Sequence, residues 1–312
     1  MSDGGAAAPA QAPEFSVLIA RASLEDATRI LQTLEAMRRQ DCDFAFETIV
    51  VDRIGDATTS AVEQRFPEVR LSRCAASSTL PMMRTAALRS AGGRYVAITE
   101  DHCVPEPGWL RAFAVAFQRH PEAIAVGGPV LNGLDQTVLD WASYLCEYAT
   151  FARPYEDGPR DDLPGMNIAY LRGALLSASP GQLTRGFWET TLHPDLLRRG
   201  RVFFASGAAA VAHCKRFSLR TFVTQRFAYS RYFAGIRFPG GRWAQRTVAA
   251  LATPLLPAVL LVRLALIVRG KTGLTRPFVI SLPCLVLFHV VGAIGECVGY
   301  LFGPGTALER IE

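Results

Sequence analysis

PMMRTAALRSAGGRYVAITEDHCVPEPGWL, residues 81–110, packs a helix, a buried strand and a set of polar ligands into one short stretch. Met82–Ala91 has helical spacing and is closed by Gly92-Gly93. Arg94–Thr99 (RYVAIT) is an apolar run that suits a buried strand, and it delivers Glu100-Asp101-His102 at its end. Carboxylates and an imidazole at a strand end are the groups a divalent cation on a diphosphate needs, and one or two protein ligands suffice. Taken alone, the tripeptide reads equally well as a polar strand-end turn.

Outward from this stretch the alternation continues. Upstream, Phe15–Arg21 (FSVLIAR) and Glu47–Asp52 (ETIVVD) read as buried strands and Val69–Leu71 as a weaker one. Leu24–Gln40, with Ile30, Leu31, Leu34 and Met37, reads as a helix. Downstream, Trp109–Arg119 is helical and Ala123–Val126 is a strand stopped by Gly127-Gly128-Pro129. Alternating strands and helices predict an α/β fold with a mostly parallel, Rossmann-like sheet flanked by helices, and such sheets bind ligands at their carboxyl edge. The pattern weakens over Leu134–Leu163, where Arg153–Asp162 reads as a charged loop. Helices are expected at Leu171–Ala178 and Phe187–Arg199, and a strand within Val202–Ala212. Lys215–Arg237, rich in Arg and aromatics, is expected to be a helix that snorkels at a membrane or lies over the active site.

Hydrophobic residues make up 50% of the 312, and the excess collects after Thr247. Thr247–Val268 is apolar but interrupted by Pro254, Pro257 and Arg263; Phe278–Gly295 is uncharged, and its pattern runs on to Phe302, long enough to span a bilayer. Arg269, Lys271 and Arg276 lie between the two segments, and Arg310 is the only cation after Phe302. A plain hairpin would place those three cations away from the cytoplasm, against the usual bias. Two arrangements therefore stay open: a hairpin, or a first segment lying at the cytoplasmic leaflet with only the last one spanning. Net charge is +5, too mild to argue for nucleic acid. The seven cysteines form no Cys-x-x-Cys pair, which points to neither zinc nor a disulfide framework. Met1–Pro13 lacks the basic and apolar regions of a signal peptide and is expected to be a disordered leader.

Met83-Arg84-Thr85, Ala91-Gly92-Gly93, Glu100-Asp101-His102, Pro105 and Gly108-Trp109 fall in an order and spacing that resembles the inverting family 2 glycosyltransferases of the GT-A fold. Glu100 and His102 stand where that family writes the two Asp of Asp-x-Asp. The resemblance implies three parts: a leader over 1–13, a GT-A domain over 14–241, and a membrane-attachment region over 242–312 with apolar segments 247–268 and 278–302. It implies a nucleotide-sugar donor, UDP- or GDP-linked, gripped by Ala20, Arg21, Asp52, Asp56, Arg84, Glu100, Asp101, Asn167, His213, Arg226 and Arg231. A divalent cation, Mn²⁺ or Mg²⁺, would sit on Asp101 and His102, the imidazole favouring Mn²⁺. Inversion needs one carboxylate to deprotonate the acceptor. Glu189, in a segment like the family's Gly-Phe-Asp-Glu, is the expected base, and Asp195 the fallback. The acceptor is expected to be lipid-linked or membrane-proximal in the cell envelope, with the enzyme at the cell membrane and its catalytic domain in the cytoplasm. Gln225-Arg226-Phe227 departs from the Gln-x-x-Arg-Trp of processive synthases. A nucleotidyltransferase would need a glycine-rich loop where this chain has ARASLEDAT, and an inert membrane scaffold is the other alternative.

Overall fold

The computed structural model describes residues 12–23, 27–177, 186, 188–238 and 243–311. All but the last two residues of the expected leader lie outside these, as do Phe187 and Gly241.

β1 (Phe15–Arg21) is the continuous apolar run expected of a strand covered on both faces. It lies between β2 (Phe46–Asp52) and β4 (Tyr95–Glu100), parallel to both, with β3 (Arg70–Arg73) outside β2. Alternate β1 side chains feed two cores. Val17 and Ile19 join Trp109 and Phe113 of α4 (Trp109–Arg119), while Leu18 joins Met83 and Leu88 of α3 (Leu80–Ser90). The register sets Arg21 beside Asp52 and Ala20 beside Glu100, so the polar strand ends collect at one edge.

The eight-stranded sheet runs β3-β2-β1-β4-β9-β6-β10-β8. β9 (Ile168–Leu171) enters antiparallel between β4 and β6 (Ala123–Gly127), β10 (Val202–Ala205) pairs parallel with β6, and β8 (Gly158–Arg160) closes the edge. The fold is thus the mostly parallel, helix-flanked sheet that the alternation predicts. A second sheet, β5 (Cys103–Pro105), β11 (Val211–His213) and β7 (Val130–Asn132), continues from the carboxyl ends of β4 and β6.

Several elements differ from the sequence reading. α1 spans Ile30–Arg38, preceded by a 3₁₀ turn over Ala27–Arg29, and the expected start at Leu24 lies outside the described residues. α2 (Ala57–Arg65) is too polar to show an apolar stripe, and Asp56 caps it. α5 (Val138–Tyr148) lies in the region where the pattern weakens, started by a capping box between Thr137 and Asp140. The helix expected from Leu171 is α6 (Arg172–Leu176), because Leu171 still belongs to β9. α7 (Glu189–Arg198) and α8 (Leu219–Arg237) follow.

The chain closes with α9 (Trp243–Ala252), α10 (Leu256–Arg269) and α11 (Thr275–Phe302). Trp243–Arg269 and Thr275–Phe302 are both long and apolar enough to cross a membrane. They are not equally joined to the body: 39% of the most apolar stretch of α11 is buried, against 17% for the earlier helices. α11 lies along α8 and against α5, with Phe288 and Phe222 ring to ring at 4.3 Å.

Candidate active site

At the carboxyl edge of the main sheet a cleft of about 320 Å³ opens between β4, α3, α5, α7 and α8. β4 delivers Glu100 to it directly. The small sheet brings in the other half: β11 pairs antiparallel with β5, and the Cys214 N–H donates to the His102 carbonyl at 2.9 Å. His213 and His102, far apart in sequence, thereby meet edge to face with ring centroids 4.8 Å apart. One ligand atom each of Glu100, His102 and His213 lies within 4.8 Å of the others.

Glu100 and His213 carry the charge states a cation needs, while His102 would have to release a proton to bind one. Burial pushes the Glu100 carboxyl up, but His102 and then Arg84 outweigh it and hold it at about 2. Burial pulls His102 down, yet its hydrogen bonds to Asp101 and Glu100 carry it above the usual histidine value. Burial, with His102 beside it, pulls His213 well below that value, so its imidazole is neutral and keeps a lone pair for a metal. Asp101 does not join this cluster, contrary to the sequence expectation. Its Oδ1 meets His102 Nδ1 at 2.7 Å and its Oδ2 accepts the Ala22 N–H at 3.2 Å. The Asp101 carboxylate on Nδ1 fixes the ring so that Nε2 faces the cluster, where it meets Glu100 Oε2 at 3.2 Å.

Arg84 crosses the floor. It is 4% exposed; Nη2 meets Glu100 Oε1 at 3.3 Å and Nη1 meets Glu189 Oε2 at 2.5 Å. Glu189 opens α7, where the helix dipole favours its negative charge, and its Oε1 accepts from the Trp188 indole at 2.9 Å. Trp188 is fixed in turn by Tyr229, Tyr232 and Phe233 of α8, with ring centroids 5.3–5.9 Å away. Gly165 faces Glu189 so closely that a Cβ there would collide with the carboxylate. That is the physical reason for glycine in Leu163-Pro164-Gly165-Met166.

Cations line the opposite wall. Arg226 reaches the cleft from α8, its Nε buried without a hydrogen-bond partner, and Lys215 lies 5% exposed with its ammonium 4.8 Å from the Phe217 ring. Lys215, Glu147, Tyr148, Trp188 and Ile311 line the cleft and escaped the sequence reading. Lys215 was the easiest to find, two residues after His213. Glu147 and Tyr148 lie on the unforeseen α5, and Ile311 carries no local signal. Burial pushes the Glu147 carboxyl up, against the pull of Arg226.

Other expected site residues lie elsewhere. Arg21, Asp52 and Asp56 form a knot. Arg21 Nη1 meets Asp52 Oδ2 at 2.9 Å, and Nη2 grips both Asp56 oxygens at 2.8 and 2.9 Å. The Asp52 side chain is 0% exposed; Ile54 and Gly55 N–H groups and the Thr59 hydroxyl also donate to it, so no oxygen points to a ligand. Ala20 is buried in β1 beside the knot. Asn167 is in the core, 0% exposed and not part of the cleft lining: its amide donates to the Pro129 and Ala209 carbonyls and accepts from the Trp109 indole. Arg231 points out of the cleft, with Nε 3.3 Å from the Gly303 carbonyl. Asp195 pairs with Arg198 and Arg199 of its own turn and does not line the cleft.

The chain is similar to many solved structures, S. aureus TarS and GalNAc-T7 among them. S. aureus TarS (residues 1–349) is 16% identical, with a TM-score of 0.47, covering 71% of this chain and 64% of its own. GalNAc-T7, solved with UDP, GalNAc and Mn²⁺, is 12% identical, with a TM-score of 0.51, covering 67% of this chain and 45% of its own. The match thus spans less than two thirds of either structure's length, and at such identity the likeness to GalNAc-T7 speaks for the fold alone. No curated protein matches the sequence. The model of glycosyl transferase family 2 matches residues 22–176, the stretch that builds β2 to β9 and holds Arg84, Glu100 and His102. Residues 22–176, just under half of the chain, form a glycosyltransferase family 2 domain.

Proposed function

We propose that the protein transfers a hexose, with inversion, from a UDP- or GDP-linked donor to a lipid-linked or membrane-proximal hydroxyl acceptor. The observation that carries this reading is Arg84, one buried guanidinium that holds Glu100 and Glu189 on the same cleft. Glu189 takes the proton from the acceptor hydroxyl as its oxygen bonds to the anomeric carbon. The bond from that carbon to the diphosphate oxygen breaks in line on the far side, and its electron pair leaves with the nucleoside diphosphate. Arg226 and Lys215 stabilise that negative charge from the cleft wall. Glu100, His102 and His213 would hold a divalent cation, which neutralises diphosphate charge when bound; two imidazoles favour Mn²⁺ over Mg²⁺. The Arg21–Asp52–Asp56 knot is scaffold that ties β1 to β2 and α2, and it does not act on the donor.

Residues 14–241 are the proposed catalytic domain and 242–312 the proposed membrane-attachment region. A cytoplasmic catalytic face agrees with seven free cysteines. Nucleotide release from a panel of UDP-, GDP- and dTDP-sugars, with and without Mn²⁺, tests the reading. One donor should be turned over in a Mn²⁺-dependent way, and transfer should rise with a lipid-linked acceptor that bears a free sugar hydroxyl. Release that is unchanged by chelator would remove the cation, and none from any donor would leave only an inert scaffold.

A further inference from the structure

α11 is about 42 Å long at 1.5 Å per residue, more than the roughly 30 Å of a bilayer's hydrocarbon core. A helix that crossed would carry its two ends to opposite faces of the membrane. Both ends of α11 are tied to the same catalytic body. Before its first turn, the Lys271 ammonium donates to the Ala152 and Pro154 carbonyls at 2.5 and 2.7 Å, just beyond α5. After its last turn the chain folds back, where Gln225 donates to the Arg310 carbonyl at 2.8 Å and Ile311 packs near Trp188 and lines the cleft. Between the ends, α8 runs beside α11 in the same direction, from Phe222 against Phe288 to Arg237 against Glu296. The seam is close. A Cβ on Gly295 would stand 2.6 Å from the Phe227 carbonyl, and one on Gly299 would overlap that of Arg231. Placing α11 across a bilayer would therefore draw Arg226 and Arg231 to the same depth, where charged side chains are strongly disfavoured.

The outer surface of this helix layer is nonetheless apolar. Trp243, Leu251, Val262, Leu266, Ile280 and Ile294 are each 49–76% exposed. No acidic residue occurs from Trp243 through Gly295, while Arg263, Arg269 and Arg276 are exposed among the apolar residues. Apolar side chains edged by cations, with no anion, complement the acyl chains and anionic headgroups of one leaflet.

We infer that α9, α10 and α11 lie in the plane of a single lipid leaflet, crossing nothing, and seat the cleft at the membrane surface. This rests on the membrane part of the proposed function, and its test reads no sugar transfer, so the two fail separately. Protease sites are placed in the full-length chain at the exposed Ala75–Ser77 turn, at Thr272–Gly273, and after Glu312. The protein is then reconstituted in sealed vesicles. The second and third sites should be cut, or protected until detergent is added, in the same proportion as the first. A Thr272–Gly273 or C-terminal site with protection opposite to the Ala75–Ser77 site would show a crossing and overturn the inference. Flotation supplies the second measurement. Replacing Arg263, Arg269 and Arg276 together by Gln should weaken binding to phosphatidylglycerol vesicles by roughly 100-fold. A full-length chain that floats with no vesicle and forms a discrete dimer would assign the apolar face to a second copy and overturn it as well.

Discussion

Two arginines in this protein are each held between two carboxylates, and they do different work. Arg21 sits between Asp52 and Asp56, and Arg84 between Glu100 and Glu189. Both guanidiniums are buried, at 0% and 4% exposure. The difference lies in the remaining lone pairs of the acids. Around Arg21 they are filled by Ile54, Gly55, Thr58 and Thr59, all within the turn and helix that follow β2. Around Arg84 both acids line the cleft, and their other partners are His102 and the Trp188 indole, themselves cleft residues. A buried ion pair is scaffold when backbone donors saturate it, and a candidate for chemistry when it borders an open volume.

The largest expected effect is at Glu189. Glu189→Gln keeps the size of the side chain but cannot accept the acceptor's proton, so kcat should fall by about 10²–10⁴-fold with donor KM nearly unchanged. Asp195→Asn, remote from the cleft, should stay within a few-fold of wild type. Steady-state kinetics on both variants check the pair, and the reverse ranking would move the base to α7's second turn.

Asp52 should show the opposite signature. Asp52→Ala strips a buried guanidinium of a partner and leaves the Ile54 and Gly55 N–H groups unpaired, a loss of about 3–5 kcal/mol in urea unfolding. In the fraction that stays folded, donor KM should be unchanged. A raised KM with wild-type stability would return Asp52 to the donor site.

How far these roles were legible depends on where each side chain finds its partners. β1 and α4 were readable to the residue because their apolar patterns are local. α2 and α5 were not, since polar positions blur their stripes and only the caps at Asp56 and Thr137 mark them. Glu189, Glu100 and His213 reach the cleft as the motif order suggests. Asn167 and Arg231 do not, because their partners at Pro129, Ala209 and Gly303 are brought by tertiary packing that no short motif encodes. Ile311 is the extreme case: its place in the cleft depends on the whole of α11.

Asp101 should fall between the two arginine clusters in magnitude. It touches a proposed ligand but not the proposed cation, so Asp101→Asn should weaken Mn²⁺ activation by about 10–100-fold, with kcat recovered at saturating Mn²⁺. A Mn²⁺ titration of turnover separates this from direct ligation, in which excess metal would not restore the rate.

The smallest expected effect is at Asp56, and it tests whether saturation or exposure governs the Arg21 cluster. Asp56 shares Arg21 with Asp52, but its side chain is 38% exposed, so water screens the pair. Asn caps a helix about as well as Asp, so Asp56→Asn keeps the N–H bonds to Thr58 and Thr59 and removes only the charge. At neutral pH the loss should be under about 1 kcal/mol. Its pH dependence has a definite sign. Burial pushes the Asp56 carboxyl up, but the Arg21 hydrogen bond and the Thr59 N–H outweigh it and hold it below the usual carboxylate value. A depressed value stabilises the fold above the unfolded-state pKa of about 3.9, and the contribution disappears as pH falls through the folded value. The stability gap between wild type and Asp56→Asn should therefore be flat above about pH 5 and close below about pH 4. Urea unfolding at pH 7, 5 and 3 measures it. A gap as large as that of Asp52→Ala would mean that the two acids hold Arg21 equally, and that exposure does not discount the outer one.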